Sequence, residues 1–275
     1  MPTLQSTPYH ALLKPDGLSP EDTLFCGQCF RFTQESEDTF TGFAGSRRLT
    51  LKEDGDSLLF FCPDEDIPFW KNYFDFDTDY TFLKDFFAKD PILAKACSFA
   101  PGIRVLRQEP WEALCSFIIS QNNNIIRISG IIDRLCSCFG EPLPLGGFGF
   151  PTPSRLAPLA VEDLSPLRAG FRAKYILDAA RKVTDGTVDL DAIRRLPIQE
   201  AREQLMQIKG VGVKVAECAL LYGFHRTEAF PVDTWIKKAL ARYYPQGFPE
   251  EFVREQGIAQ QFLFHYIRHL ERTQS

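Results

Sequence analysis

Residues 198–240 read IQEAREQLMQIKGVGVKVAECALLYGFHRTEAFPVDTWIKKAL, and this stretch decides the fold. Its spacing predicts a helix over 198–208, a turn at Gly210-Val211-Gly212, and a second helix beginning at once over 213–222. Two glycines around one small apolar residue allow close backbone approach and leave N–H groups open at a helix N-terminus, where the dipole attracts phosphate. Lys214 lies two residues into the second helix, and Asp233 follows Pro231-Val232 at the start of a third helix predicted over 233–243. Taken singly, the glycines are a plain turn, Lys214 a solvated first-turn lysine and Asp233 an N-cap. Taken together, they place an amine and a carboxylate at the N-termini of neighbouring helices beside a phosphate site.

Helical periodicity extends outward from this stretch, over 80–89, 110–121, 124–139, 171–183 and 249–272. In 124–139, Ile125, Ile128, Ile132, Leu135 and Phe139 recur every three or four residues, so one face is buried. Residues 140–158 are rich in Pro and Gly and are expected to form a loop. Upstream the period changes to two: CFRFT, TFTGFAG, RRLTLKE and DSLLFFC, between Cys29 and Cys62, are separated by turn residues and predict a small antiparallel sheet. Residues 64–82 mix acids with aromatics and read as a solvated linker whose rings pack onto the sheet. The expected class is α+β, with an N-terminal antiparallel β-sheet and attached helices over 1–100 and a helical body over 101–275, its hairpin at about 208–213.

The 275 residues are 44% hydrophobic and 24% charged, an ordinary globular composition that excludes disorder and fibrous repeats. The net charge of −5 argues, taken whole, against non-specific phosphate attraction. The charge is uneven, however: residues 1–100 carry 9 Lys/Arg against 17 Asp/Glu, and residues 101–275 carry 22 against 19. Between 167 and 182, Arg168, Arg172, Lys174, Arg181 and Lys182 face Asp178 alone. No apolar run is long enough for a membrane span, and MPTLQSTPYHALLKPDG lacks a secretory pattern, so a non-exported, cytoplasmic protein is expected, nucleoid-associated if bacterial. The eight cysteines read mostly as free thiols. Cys26 and Cys29 have CxxC spacing, but pairing them with Cys136 and Cys138 around zinc would join a predicted strand to a helix with no histidine, and no metal site is expected.

With its glycines, Lys214 and Asp233, the segment 198–240 resembles the helix-hairpin-helix and Gly/Pro-Asp motif of DNA base-excision glycosylases. The lysine resembles that of the bifunctional members, which cut the glycosidic bond and then nick the strand. No cysteine follows Cys218, so the branch that closes with a four-cysteine iron–sulfur cluster is not matched. Five further segments occur in order: FCGQCFR at 25–31, VLRQEP at 105–110, SQNNNIIR at 120–127, GFRAKY at 170–175 and AQQFLF at 259–264. With them the chain resembles the 8-oxoguanine DNA glycosylase family over nearly its whole length. The resemblance implies excision of 8-oxoguanine opposite cytosine from duplex DNA, with lyase activity, no cofactor and a monomeric protein. Action on another oxidised or ring-opened purine, or a hairpin module that only grips DNA, are the alternatives.

The same resemblance distributes roles. Lys214 is the nucleophile at C1′ and Asp233 stabilises the charge that develops on the sugar. Gly27 offers a carbonyl to the N7 hydrogen that distinguishes 8-oxoguanine from guanine, Gln260 reads the Watson–Crick edge, and Phe264 and Cys218 sandwich the base. Because the damaged nucleotide must leave the stack, Asn122 enters the gap, Arg127 and Arg172 bond the orphaned cytosine, and Phe171 wedges beside it. Gly210 and Gly212 present backbone to phosphate, and hairpin carbonyls near them are able to hold a cation. Phe171 stands where relatives often have tyrosine, Trp235 where many eukaryotic members have a histidine that contacts DNA, and Lys209 where proline is common. From spacing alone, Cys218 and Phe264 are core positions, Gln260 a surface amide, and Arg127 and Arg172 solvated.

Overall fold

A computed structural model describes residues 9–273; residues 1–8, which begin the N-terminal stretch read above for a signal, and 274–275 lie outside the described residues. The N-terminal sheet comprises β1 (His10–Leu13), β2 (Phe32–Ser36), β3 (Thr39–Ala44), β4 (Arg47–Asp54) and β5 (Ser57–Phe61), with α1 (Pro20–Leu24) between the first two strands. Strand order is β1-β5-β4-β3-β2, and every neighbouring pair is antiparallel. Phe40 pairs with Leu51, and Leu51 with Phe60, so the fully buried rings and leucines line one face. The four residues of β1, HALL, were too short a run to predict a strand. The stretch starting at Cys29 enters β2 only at Phe32, because Arg31 turns aside to the Gly45 and Phe148 carbonyls and the Glu112 carboxylate.

Residues 64–82 are not a linker. After a 3₁₀ turn, α2 (Ile67–Tyr73) lays Trp70, Tyr73 and the following Phe74 onto the sheet, with Trp70 edge-on to Phe32 at 6.3 Å. The rings pack as expected; the helix forms because they need a common face. Asp75 is buried rather than solvated, held by Arg107 at 2.7 Å, Thr78 at 2.8 Å and the Tyr80 hydroxyl at 3.1 Å.

The helical body comprises α3 (Tyr80–Phe87), α4 (Pro91–Phe99), α5 (Pro110–Ser120), α6 (Ile125–Phe139), α7 (Pro153–Leu156), α8 (Arg172–Thr184), α9 (Leu190–Ile193), α10 (Ile198–Met206), α11 (Val213–Phe224), α12 (Thr234–Tyr243) and α13 (Gln256–Thr273). Helix α4 was not predicted; Asp90 caps it by accepting from the Ile92 and Leu93 N–H groups, and Pro91 occupies its first position. The long helix expected over 249–272 is divided into a 3₁₀ turn at Glu250–Phe252 and α13. A large core joins α3 through α13, and a smaller one joins the sheet, α2 and Leu106. Helices α3 and α4 belong to the larger core, so the packing boundary falls before the change in charge near residue 100. At the centre α5 lies against α11, and both are buried almost throughout. No described helix is long and apolar enough to cross a membrane.

Candidate active site

Helices α11 and α12 start beside one another at a cleft lined by Gly27, Phe117, Lys214, Cys218, Tyr222, Pro231, Asp233, Gln260 and Phe264. Six of these were assigned from the sequence as catalytic or base-pocket residues, and they come from four segments far apart in the chain. Lys214, in the first turn of α11, has its ammonium 5.5 Å from the centre of the Phe117 ring. Asp233 is the N-cap of α12, accepting the Ile236 N–H at 2.8 Å, and it also faces the cleft. The capping role and the catalytic role are compatible, since one carboxylate oxygen suffices for the cap.

The other cleft residues are held from behind. Gly27 has φ +95°, and a side chain there would point at Phe264, 3.6 Å from a ring carbon. Gln28, fully buried, fixes this turn: its amide nitrogen donates to the carbonyls of Thr23 (2.8 Å) and Arg104 (2.7 Å), and its amide oxygen accepts the Leu106 N–H at 2.9 Å. Residues 25–31 are therefore an irregular, tightly bonded turn and not the start of a strand. Glu217 fastens the loop carrying Pro231 and Asp233 to α11, taking the Phe230 N–H at 2.6 Å and pairing with Arg202.

Cys218 lies one turn after Lys214; burial pushes its thiol pKa up, and the nearby lysine opposes this in part. Gln260 is only 3% exposed, which overturns its reading as a surface amide. Its amide nitrogen donates to the Pro231 carbonyl at 3.1 Å, while its buried amide oxygen has no partner among the described residues. A buried acceptor without a donor costs free energy, and a ligand N–H in the cleft would satisfy it. Phe117, Tyr222 and Pro231 were missed. Tyr222 follows Lys214 and Cys218 at helical spacing, which is a readable signal, whereas Phe117 arrives from α5 by tertiary packing and stacks on Tyr222 at 5.1 Å.

A second group forms a rim. Asn122 is exposed at the turn between α5 and α6, with φ +47°, and Arg127 is exposed in the first turn of α6. Arg172 is 3% exposed, contrary to the solvated reading. Its guanidinium donates to the carbonyls of Gln121 (Nε, 3.0 Å), Asn122 (Nη2, 2.9 Å) and Ala169 (Nη1, 3.3 Å), so it clasps the Asn122 turn. Burial, and then the neighbouring Arg127 charge, draw its pKa down. The half-exposed Phe171 ring lies 4.4 Å from the Arg172 guanidinium carbon and edge-on to Tyr175. Gly210 has φ +80°, and any side chain there would collide with Tyr175. Gly212 is the N-cap of α11 and faces open space. Trp235 is half-buried on α12 with the Lys238 ammonium 5.0 Å from its ring, outside the cleft lining. All eight cysteines are free thiols, Cys26 pushed up to about 12 by burial.

Residues 11–114 match the family model of the 8-oxoguanine DNA glycosylase N-terminal domain, and residues 115–251 match that of the HhH-GPD superfamily of base excision DNA repair proteins. The N-glycosylase/DNA lyase of Saccharomyces cerevisiae is 39% identical over 169 residues, covering 56% of this chain and 45% of its own length, so the chain spans under half of that relative. The structure of MBOgg1 in complex with a low-affinity DNA ligand is 38% identical, with a TM-score of 0.91 over 96% of each chain. The 8-oxoguanine glycosylase/lyase of Clostridium acetobutylicum, in complex with double-stranded DNA containing cytosine opposite 8-oxoG, is 34% identical, with a TM-score of 0.86 over 93% of each chain. Matched in order by both models, and like a 38% identical structure along nearly its whole length, the chain belongs to the 8-oxoguanine DNA glycosylase family of the HhH-GPD superfamily.

Proposed function

We propose that the protein is a bifunctional DNA glycosylase and AP lyase that removes 8-oxoguanine opposite cytosine from duplex DNA. The observation that carries this reading is the cleft itself, which Lys214 and Asp233 line together with Cys218, Phe264 and Gln260, whose buried amide oxygen has no partner among the described residues. Extruding the nucleotide from the duplex costs a few kcal/mol. On this reading Arg127 and Arg172 hold the orphaned cytosine, Asn122 fills the gap and Phe171 wedges beside it; the exposure of Asn122, Arg127 and Phe171 supports it.

In the cleft the unprotonated Lys214 amine attacks C1′, and the glycosidic bond breaks with its electron pair passing to the departing base, which takes up a proton. The Asp233 carboxylate stabilises the positive charge that grows on the sugar in between. The attached nitrogen loses a proton, the C1′–O4′ bond breaks with its electron pair and a proton going to O4′, and a protonated imine forms at C1′ of the opened sugar; removal of a C2′ proton then expels the 3′ phosphate with its electron pair and nicks the strand. The protein needs no cofactor for these steps and acts as a monomer on the cell's DNA in the cytoplasm.

Incubation with 8-oxoguanine:cytosine duplex and borohydride tests the assignment. A covalent protein–DNA complex is expected, with excision fastest opposite cytosine. Trapping only on a ring-opened purine would move the substrate to that lesion, and duplex binding without trapping or base release on any lesion would reduce the protein to a DNA-gripping module.

A further inference from the structure

Helix α8 carries the rim at its N-terminus, but three side chains further along one of its faces, Tyr175, Asp178 and Lys182, meet the hairpin instead. The Tyr175 ring fills the space over Gly210, where a Cβ would lie 2.4 Å from a ring carbon. The Asp178 carboxylate accepts the Lys209 backbone N–H at 2.7 Å. The Lys182 ammonium donates to the Gln207 carbonyl at the end of α10, and it pairs with Asp178 at 3.1 Å. An acid and a base one turn apart thus hold a turn N–H and a helix-end carbonyl on either side of Ile208. The Asp178 side chain is only 14% exposed, whereas the Lys209 ammonium, 3.8 Å from it, belongs to a side chain 74% exposed.

A carboxylate next to a turn that receives phosphate is electrostatically unfavourable. It repels the ligand and competes for two lysines. We propose that Asp178 is a positioning residue: its bond to the Lys209 N–H sets the hairpin against α8, and so fixes the distance between the phosphate-binding turn and the Arg172-clasped rim that the same helix carries. This rests on the reading above that the hairpin takes a phosphate of duplex DNA.

The electrostatic and positioning roles predict opposite signs. If Asp178 acts only as a charge, Asp178→Ala and Asp178→Asn both tighten duplex binding. If it positions the turn, Asp178→Asn keeps an acceptor for the Lys209 N–H and binds as wild type or slightly tighter, while Asp178→Ala weakens binding about ten-fold. Single-turnover base release at saturating DNA should stay within about two-fold of wild type in both, since neither touches the reacting atoms. Lys209→Pro removes the donor itself, with Lys209→Ala as the control for lost charge. In the Lys209→Pro background, Asp178→Ala should cost nothing further. Because this probes the same bond from the other side, misfolding of one variant in a thermal melt leaves the other decisive. Tightening in both Asp178 variants, equal weakening in both, or an undiminished Asp178→Ala effect in the Lys209→Pro background would overturn the proposal while duplex binding by the wild type stands. A wild-type protein that binds no duplex would overturn the underlying reading as well.

Discussion

The cleft and the rim are built in contrasting ways. The cleft is assembled from buried groups, Gln260, Cys218, Tyr222 and Phe117, each fixed by a packed helix or by a turn whose polar groups are bonded. Its unsatisfied buried acceptor is the Gln260 amide oxygen, beside Lys214 and Asp233, the two side chains proposed for catalysis. At the rim, Asn122, Arg127 and Phe171 are exposed at helix starts, and the one buried member, Arg172, spends its donors on neighbouring carbonyls. Chemistry needs preorganised groups in a dry site, whereas filling a gap in a duplex and holding the base left opposite it needs groups that reach into solvent. The difference teaches that the fixed groups lie in the cleft and the reaching ones at the rim, and that Arg172, with four of its five N–H donors bonded to carbonyls, keeps one for a further acceptor.

Substitutions can break or sharpen this contrast. The largest effect is expected from Lys214→Gln, which should lower base release on 8-oxoguanine:cytosine duplex by roughly 10³-fold or more and abolish borohydride trapping. Full trapping in this variant would remove Lys214 from the reaction. Asp233→Asn keeps an oxygen for the Ile236 N–H cap while deleting the charge. Single-turnover rates should therefore fall by about 10²-fold with duplex affinity nearly unchanged, and equal losses in rate and affinity would return Asp233 to capping alone.

The third test concerns the far end of α11, where His225 caps the helix with φ +51° and its ring stands 3.5 Å from Asp75. Burial holds its pKa down at about 4 against 6.5 for a free ring, although Asp75 pulls the other way. The unfolded chain then binds the extra proton between these values, so this contribution is complete above pH 6.5 and is lost as pH falls toward 4, on the order of 3 kcal/mol in all. Denaturant melts across that range should show the loss in the wild type and not in His225→Asn, which tolerates the left-handed backbone; parallel profiles would refute it. The smallest effect belongs to the rim: Arg127→Ala should cut the preference for cytosine opposite the lesion by about ten-fold and leave the melting temperature alone. An equal loss opposite every base would mean that Arg127 contacts phosphate.

The sheet was legible because alternation in TFTGFAG, RRLTLKE and DSLLFFC has one buried face, and α5, α6, α8, α10, α11 and α12 because their apolar residues recur at the helical period. What escaped was short or depended on distant partners: four-residue β1, α4 with its Asp90 cap, and α2, disguised by the acids on either side of it and packed onto the sheet through Trp70 and Tyr73. Among site residues, Lys214 and Asp233 could be read from local spacing, since both stand at predicted helix starts. Gln260 and Cys218 could not, and the resemblance alone moved them from surface and core into the pocket.

By itself the sequence determined the class of the longer, periodic elements, the hairpin, the position of amine and carboxylate at helix N-termini, and the local basic charge on an acidic chain, because these follow from neighbours a few residues apart. Only the tertiary structure decided that Phe117 faces Lys214, that the Gln260 oxygen is buried without a partner among the described residues, that Arg172 is a clasp, and that Asp178 holds the Lys209 N–H. Each of these depends on segments tens of residues apart meeting at one surface. Burial and hydrogen-bond partnership belong to that meeting, and no local pattern encodes them.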